Sequence, residues 1–335
     1  EFRRVLFRSL VEEHLHDPLK WRKPRRIFVN SMSDLFHDRV QQEWIDVIFG
    51  IMALARHQTF QVLTKRPMLM RNYMQDIERR ARMACAFNVS GYLIARAQDF
   101  AKREKIGDLE MALSKFYGEI ASEEDWNLDH IWLGVSVENQ GTADERIPLL
   151  LETPAAVRFV SYEPALGPVD FGKYLPEIGH AVRCLACGRT KAPVGRSVPD
   201  EIANGMCDRD CEGYDKEPFA NSLWPGESRK EFGYPRESAE RPNLDWVIIG
   251  GESGPNARPF NIEWARSTVR QCKAAGVKCF VKQMGARPYS DKNKSHWEND
   301  FRGREWLHFK DRAGADPSEW PEDLRVQEFP GEARE

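Results

Sequence analysis

A short apolar segment followed at once by glycines and an acid is the pattern around which the sequence is organised. Residues 246–249 are apolar and rich in β-branched side chains, a pattern typical of a strand buried on both faces. Residues 250–254 form a polar loop whose glycines allow a sharp turn or a close approach to a ligand. Residues 262–275 then predict a helix that ends at Gly276. The predicted order is therefore strand, polar loop and helix.

This pattern occurs six times along the chain. The predicted strands begin near residues 27, 59, 130, 157, 246 and 277, and each ends in polar or charged residues. A helical pattern or a longer insertion separates each strand from the next. Six such units predict an α/β protein with a parallel sheet and right-handed crossovers.

Two parallel architectures fit this order, a (β/α) barrel and an open doubly wound sheet. In a barrel all the strand ends converge on one mouth, whereas an open sheet gathers ligand groups mainly at its switch point. Because every predicted strand ends in polar residues, the sequence favours a parallel (β/α) TIM-like barrel. The barrel spans residues 10–285 in this interpretation and is incomplete at its N-terminus.

Four segments lie outside the repeating pattern. Residues 68–125 predict a helical insertion with a basic run at 79–82, which is more typical of a solvated helix face than of a nucleic-acid contact. Residues 165–243 form a cysteine-bearing insertion, and residues 286–335 predict an irregular C-terminal tail. Residues 1–9 lack an initiator Met, resemble translated sequencing-adapter DNA and are interpreted as an artefact.

Composition gives no sign of a membrane protein or of a globally basic one. The 335 residues include 49 Lys and Arg against 52 Asp and Glu, for a net charge of −3. No apolar run approaches the roughly 18 residues of a membrane span, so we expect a soluble protein without a membrane partner. Seven cysteines in a chain of this length indicate a reducing, cytoplasmic environment.

Charged and small residues at the strand ends are the candidate binding site. Lysines there could bind a carboxylate or phosphate, and acids could bind a cation or an amino group. Several acids facing one mouth repel each other unless lysines balance them, and a structural ring of salt bridges is the alternative interpretation. We expect the following residues to bind a cofactor, whereas the pattern identifies no catalytic residue: Asn30, Lys65, Ser136, Glu138, Glu163, Gly250, Gly251, Glu252, Ser253 and Lys282.

Two short-spaced cysteine pairs lie in the insertion 165–243. They are Cys184, Cys187, Cys207 and Cys211. This spacing favours a tetrahedral zinc site, which can fold a segment that has few apolar residues. The alternatives are unliganded thiols and, less favoured, a second cluster. Cys85, Cys272 and Cys279 stand alone, and we expect them to pack in the core.

Several segments together resemble the phage-encoded radical-SAM-like protein family. They are residues 28–36 (FVNSMSDLF), 63–67 (LTKRP), 132–138 (WLGVSVE), 161–164 (SYEP), 247–254 (VIIGGESG), 280–285 (FVKQMG) and 316–323 (DPSEWPED). The resemblance implies S-adenosylmethionine and an iron–sulfur cluster as cofactors, with Glu252 and the glycines before it at the amino-acid part of S-adenosylmethionine.

The sequence departs from that family at its N-terminus. A cluster of this kind needs three closely spaced thiolates, and the sequence contains no such triplet. The resemblance places the motif, with one more strand, before Leu10, so we interpret the chain as an N-terminally truncated member. The truncation is expected to leave residues 27–29 as an edge strand, and to give a less stable chain that is prone to associate.

Two functions fit these observations. The first is a radical-SAM-like enzyme that cleaves S-adenosylmethionine reductively and abstracts hydrogen from an unknown substrate, inactive in this chain if the cluster motif is lost. The second is a non-catalytic, phage-associated binding protein that contacts nucleic acid through its two insertions. Neither interpretation specifies an oligomeric state.

We predict that the four paired cysteines bind one zinc ion per chain. Zn–S bonds of about 2.3 Å hold four sulfurs within roughly 4 Å of one another. Elemental analysis of protein purified without chelator should find one zinc, which Cys184→Ser removes and Cys85→Ser retains. Zinc-free protein would contradict the prediction.

Overall fold

The structure is a computed structural model with two compact units. It describes residues 10–29, 33–86, 88–120, 128–176, 182–183, 190–191, 243–291 and 304–331. The larger unit comprises Glu1–Leu175 and Asn243–Glu335, and the smaller comprises Pro176–Pro242.

Six parallel strands form the central sheet of the larger unit, which curls into a half-barrel. They are β1 (Arg26–Val29), β2 (Thr59–Thr64), β3 (Ile131–Ser136), β4 (Arg158–Tyr162), β7 (Trp246–Gly250) and β9 (Lys278–Gln283). Each strand pairs in parallel with the next in that order, and β1 lies at one edge. The predicted α/β class and the six parallel strands are therefore confirmed.

Seven α-helices are described, and three of them make up most of the predicted helical insertion. They are α1 (Asp17–Lys20), α2 (Gln42–Leu54), α3 (Pro67–Met83), α4 (Val89–Arg103), α5 (Gly107–Ile120), α6 (Gln140–Leu151) and α7 (Ile262–Ala275). Short 3-10 helices occur at Glu12–His14, Pro317–Glu319 and Glu322–Leu324. As predicted, α7 ends at Gly276, whose φ of 73° suits glycine. None of the described helices combines the length and apolar character needed to cross a membrane.

The helices of the described residues cover only one face of the sheet. Buried residues of α2 to α7 pack with one set of alternating strand residues in the main core. The opposite set forms a smaller cluster, in which no residue of a described helix takes part: Leu63, Trp132, Val157, Phe159, Trp246, Ile248, Phe280 and Phe329. A doubly wound sheet carries helices on both faces, so this one-sided arrangement is that of a half-barrel.

The C-terminal segment closes the amino end of this inner face. Phe329 packs on Trp246 and Phe280, with ring centroids 5.3 and 5.0 Å apart. Trp246 Nε1 donates to the carbonyl oxygen of Glu328 at 2.8 Å. The guanidinium of Arg26, in β1, lies 3.7 Å from the Phe329 ring. Phe329 thus contacts both edge strands, β1 and β9, of the curled sheet.

Residues 286–335 contain more regular structure than the irregular tail predicted for them. Strand β10 (Pro288–Asp291) pairs in parallel with the two-residue strand β8 (Phe260–Asn261) and antiparallel with β11 (Arg304–Trp306). Such short strands have no readable alternation of their own, and their partners are distant in sequence, so local patterns do not reveal them.

The smaller unit contains two described strands, β5 (Val182–Arg183) and β6 (Thr190–Lys191), which pair antiparallel. The four predicted zinc ligands lie outside the described residues, so the zinc site stays a prediction.

We predict that Gly134→Ala destabilises the protein by about 1–3 kcal/mol, a typical cost of overpacking. Gly134 lies on the inner face, where an added Cβ would come within 2.5 Å of the buried Phe159 ring. Urea denaturation should show this loss in the free energy of unfolding.

Gly107→Ala is the matched control, because an added Cβ there meets nothing within 4 Å. It should be neutral or slightly stabilising. The double variant Gly134→Ala/Phe159→Leu should destabilise less than the sum of its two single changes, because a smaller side chain relieves the clash. Equal stabilities of Gly134→Ala and Gly107→Ala would contradict the proposed packing.

Candidate functional site

The inner face changes from apolar to polar or charged along β3, β4 and β9. Successive inward positions on β3 are Trp132, Gly134 and Ser136, and Glu138 follows. On β4, Phe159 precedes Ser161 and Glu163, and on β9 Phe280 precedes Lys282. Because side chains alternate along a strand and parallel strands end at one edge, these polar residues lie on the inner side of the carboxyl edge.

Glu138 is held by two cations. Lys65 Nζ donates to Glu138 Oε1 at 2.7 Å, and Arg146 Nη1 donates to Glu138 Oε2 at 3.1 Å and to the carbonyl oxygen of Ser136 at 2.7 Å. Burial alone would raise the pKa of Glu138, but the hydrogen bond and charge of Lys65 and the charge of Arg146 outweigh it, so the pKa lies below its usual value. Glu138 is therefore ionised at neutral pH.

Glu163 is paired with one lysine among the described residues. Lys282 Nζ lies 3.1 Å from Glu163 Oε2, and Ser161 Oγ donates to the same oxygen at 3.3 Å. Burial raises the pKa of Glu163, and Lys282 offsets this only in part. The pKa values of Glu138 and Glu163, which follow neighbouring strands, are thus shifted in opposite directions.

Glycines allow the backbone to approach Glu163 and β9 closely. A Cβ at Gly250 would lie 2.5 Å from Glu163 Oε1, and a Cβ at Gly251 would clash with the carbonyl oxygen of Met284. Gln283 Nε2 donates to the carbonyl oxygen of Gly251 at 2.8 Å. Here the glycines are required by packing within the protein, whether or not a ligand is bound.

Glu252 lies in the loop after β7 and is bound by Arg258. The Arg258 backbone NH and Nε both donate to Glu252 Oε2, at 3.0 and 2.8 Å. These hydrogen bonds lower the pKa of Glu252. The same hydrogen bond to Glu252 raises the pKa of Arg258, and the charge of Glu138 adds to this shift. Ser253 is exposed beside them.

Asp34 joins the loops that follow β1 and β2. Its Oδ1 accepts from Thr64 Oγ1 at 2.7 Å, and its Oδ2 accepts from the Lys65 NH at 3.1 Å and from Arg66 Nη1 at 2.9 Å. The predicted site residue Asn30 lies outside the described residues. Through these hydrogen bonds, Asp34 fixes the start of the loop that follows β2.

A cavity of about 710 Å³ lies beside the loop that carries Glu252. Its lining comes from residues 254–255, 285–288, 307–309 and 311–313. The backbone NH of Ala286 donates to the carbonyl oxygen of Glu252 at 2.9 Å, which ties the cavity wall to the carboxyl edge. A cavity of this size is in the usual range for small-molecule sites.

The profile of one protein family matches residues 2–310. The chain belongs to this family, described as a protein of unknown function (DUF5131). No curated protein and no solved structure matches the chain. All the carboxyl-edge residues lie within the part that matches DUF5131, whereas Phe329 lies beyond it.

Sequence patterns indicated most of the acids and lysines that lie at the carboxyl edge but missed two arginines. Lys65 is hydrogen-bonded to Glu138, and Lys282 is hydrogen-bonded to Glu163. Ser136 makes a weaker contact, because its Oγ lies 3.5 Å from Glu138 Oε1. The missed groups are Arg146 on α6 and Arg258 in the loop after β7. Arginines on a helix and a loop have no strand-end signal, because only tertiary structure turns them toward the edge.

The described part of the chain contains no group of three His, Cys, Asp or Glu residues arranged to hold a metal ion. Cys272 and Cys279 are buried, as expected for core cysteines. Cys85 is exposed at the end of α3, so its predicted core packing is wrong. A backbone φ of 54° turns Cys85 out of the helix.

We predict that Glu138→Gln costs about 1–3 kcal/mol at pH 7, because it leaves Arg146 half-paired. A carboxyl whose pKa is lowered by folding contributes stability above its unfolded pKa, near 4.5, and loses it as the pH falls. The stability gap between wild type and Glu138→Gln should therefore narrow below pH 4.5 in urea titrations.

Glu163→Gln provides a control, because its effect on stability should depend on pH in the opposite direction. Because folding raises the pKa of Glu163, the native state loses stability as the pH rises above about 4.5. The stability of wild type relative to Glu163→Gln should fall in this range. Parallel pH profiles for the two variants would contradict the assigned environments.

Proposed function

We propose that the carboxyl edge of the half-barrel binds S-adenosylmethionine through its amino-acid group. The observation that carries this proposal is the alternation of acids and cations along the edge: Lys65, Glu138 and Arg146, then Glu163 and Lys282, then Glu252 and Arg258. Positive and negative groups are nearly balanced there. Such an edge suits a ligand that carries both an ammonium and a carboxylate, and it suits a polyanion poorly.

Individual roles follow from exposure and charge. The Glu252 side chain is 32% exposed and its pKa is lowered, so it is an ionised acceptor within reach of a ligand ammonium. The Lys65 and Lys282 side chains are 57% and 55% exposed, and either can turn to a ligand carboxylate. The cavity of about 710 Å³ beside Glu252 supports a place for the adenosyl group.

Bound S-adenosylmethionine would supply a sulfonium-activated carbon, for transfer or for reductive cleavage. The sulfonium is a further positive charge, which the ionised Glu138 would favour electrostatically. Glu163, whose pKa is raised by burial, is the group of the edge best suited to hold a proton near a reacting substrate.

An iron–sulfur cluster does not fit the described cysteines. Cys272 and Cys279 are buried in the core on the helix-covered side of the sheet, and Cys85 is at the surface. Three neighbouring thiolates are required. The described cysteines therefore do not supply the cluster that the radical chemistry implied by the family resemblance requires.

We predict that the full chain binds S-adenosylmethionine and that Lys282→Met and Glu252→Gln each weaken binding about tenfold, or about 1.4 kcal/mol. Isothermal titration calorimetry should also show tighter binding of methionine, which carries the amino-acid group, than of adenosine.

Lys173→Met is the matched control, because Lys173 is 57% exposed and pairs with Asp144 outside the edge. It should leave the affinity unchanged, and thermal melts should establish that each variant folds. Adenosine binding with no methionine binding, or equal losses in the three variants, would refute the assignment.

Anaerobic reconstitution with iron and sulfide tests the radical chemistry separately. Cleavage of S-adenosylmethionine by this chain would show that cysteines assigned here to zinc or to packing hold a cluster. Cleavage only by a chain extended at its N-terminus with three closely spaced cysteines would support the radical enzyme. Binding without cleavage in either would favour the non-catalytic protein.

A further inference from the structure

A short, strongly basic segment lies at the amino end of β1, opposite the carboxyl edge. Residues 20–26, called the basic loop here, contain five cations and no acid, in the order Lys-Trp-Arg-Lys-Pro-Arg-Arg. All five cationic residues are exposed. Lys20, Arg22, Lys23 and Arg25 make no ion pair with any described residue. This local charge contrasts with the chain's net charge of −3.

The basic loop is held in one conformation by a buried amide. Gln58, 1% exposed, accepts from the Arg25 NH at 2.8 Å and donates to the carbonyl oxygens of Trp21 and Lys23 at 3.0 and 3.4 Å. His57 Nε2 also lies 2.7 Å from the Trp21 carbonyl oxygen. A preordered loop loses little conformational entropy on binding, which favours a recognition role over a freely solvated charge run.

Trp21 and Arg25 add a flat stacking surface to the charge. The Arg25 guanidinium lies 4.6 Å from the centre of the half-buried Trp21 ring. Unpaired bases stack on aromatic rings and on arginine planes, and phosphates pair with the surrounding cations. Anionic lipid would use the charges but would leave this paired plane without a role.

A second basic run, at residues 79–82, is paired with acids at two of its three cations. On α3, Arg79 pairs with Asp76, and Arg80 pairs with Asp46 at 2.8 Å and with Asp76 at 3.0 Å. Two of its three cations therefore have acidic partners, whereas four of the five cations of the basic loop have none among the described residues. The interpretation of residues 79–82 as an ordinary helix face agrees with these contacts.

We propose that the basic loop binds single-stranded nucleic acid. The proposal does not depend on the ligand at the carboxyl edge, since the two surfaces lie at opposite ends of the strands. With roughly three or four phosphates contacted, the logarithm of the binding constant should fall with the logarithm of salt concentration with a slope of about −2 to −3.

Fluorescence anisotropy of a labelled single-stranded 20-mer, titrated with the full chain between about 50 and 200 mM salt, tests this. Dissociation constants of about 10⁻⁶ to 10⁻⁴ M are expected at physiological salt. Arg22→Glu/Lys23→Glu should weaken binding at least tenfold and flatten the salt dependence. Trp21→Leu should weaken it about fivefold or more with the slope unchanged, because it removes stacking rather than charge.

Arg79→Glu/Arg82→Glu is the matched control, with the same change in formal charge on the other basic run. It should bind within about twofold of wild type. Equal losses in the two double variants would overturn the proposal, since the effect would then be one of net charge. Binding to phosphatidylserine vesicles with no binding to the oligonucleotide would also overturn it, in favour of a membrane partner.

Discussion

The inner face of the curled sheet has no helix over it among the described residues, and this constraint shapes the rest of the half-barrel. Its apolar side chains must be covered by one another or by another part of the chain. Trp132, Phe159 and Trp246 pack across neighbouring strands, and Gly134 leaves space for the Phe159 ring. Phe329 completes the cluster from the C-terminal segment. Burial of large aromatic rings is a strong stabilising contribution, so the amino end of the sheet is its packed base.

A packed base leaves the other end of the same strands free for charged groups. The two-residue period that directs Phe159 inward also directs Ser161 and Glu163 inward, one step further along. The packed apolar side chains and the charged side chains therefore lie on the same face of the sheet, at opposite ends of the strands. Partial burial beside the aromatic layer is also what raises the pKa of Glu163.

Electrostatic balance at the carboxyl edge depends on pairing across elements. Among the described residues, Glu138 has one cation from the end of β2 and one from α6, whereas Glu163 has only Lys282 from β9. Burial acts to raise the pKa of both glutamates, and the two cations beside Glu138 outweigh it, whereas the single lysine beside Glu163 does not. The acids can lie close together at the carboxyl edge because each has its own counterion. The same residues therefore fit both interpretations, a structural ring of salt bridges and a ligand-binding site.

The sequence by itself determined the six strands, their parallel order and the end of the sheet where charged residues gather, because alternation and strand–helix spacing are local properties. It indicated Lys65, Glu138, Glu163 and Lys282 for the same reason. Only the tertiary structure decided that all described helices lie on one side of the sheet, that β8, β10 and β11 pair, and that Phe329 covers the inner face. It also decided that Arg146 and Arg258 join the edge and that Gln58 shapes the basic loop. These contacts join residues from separate elements, and their geometry depends on how those elements pack.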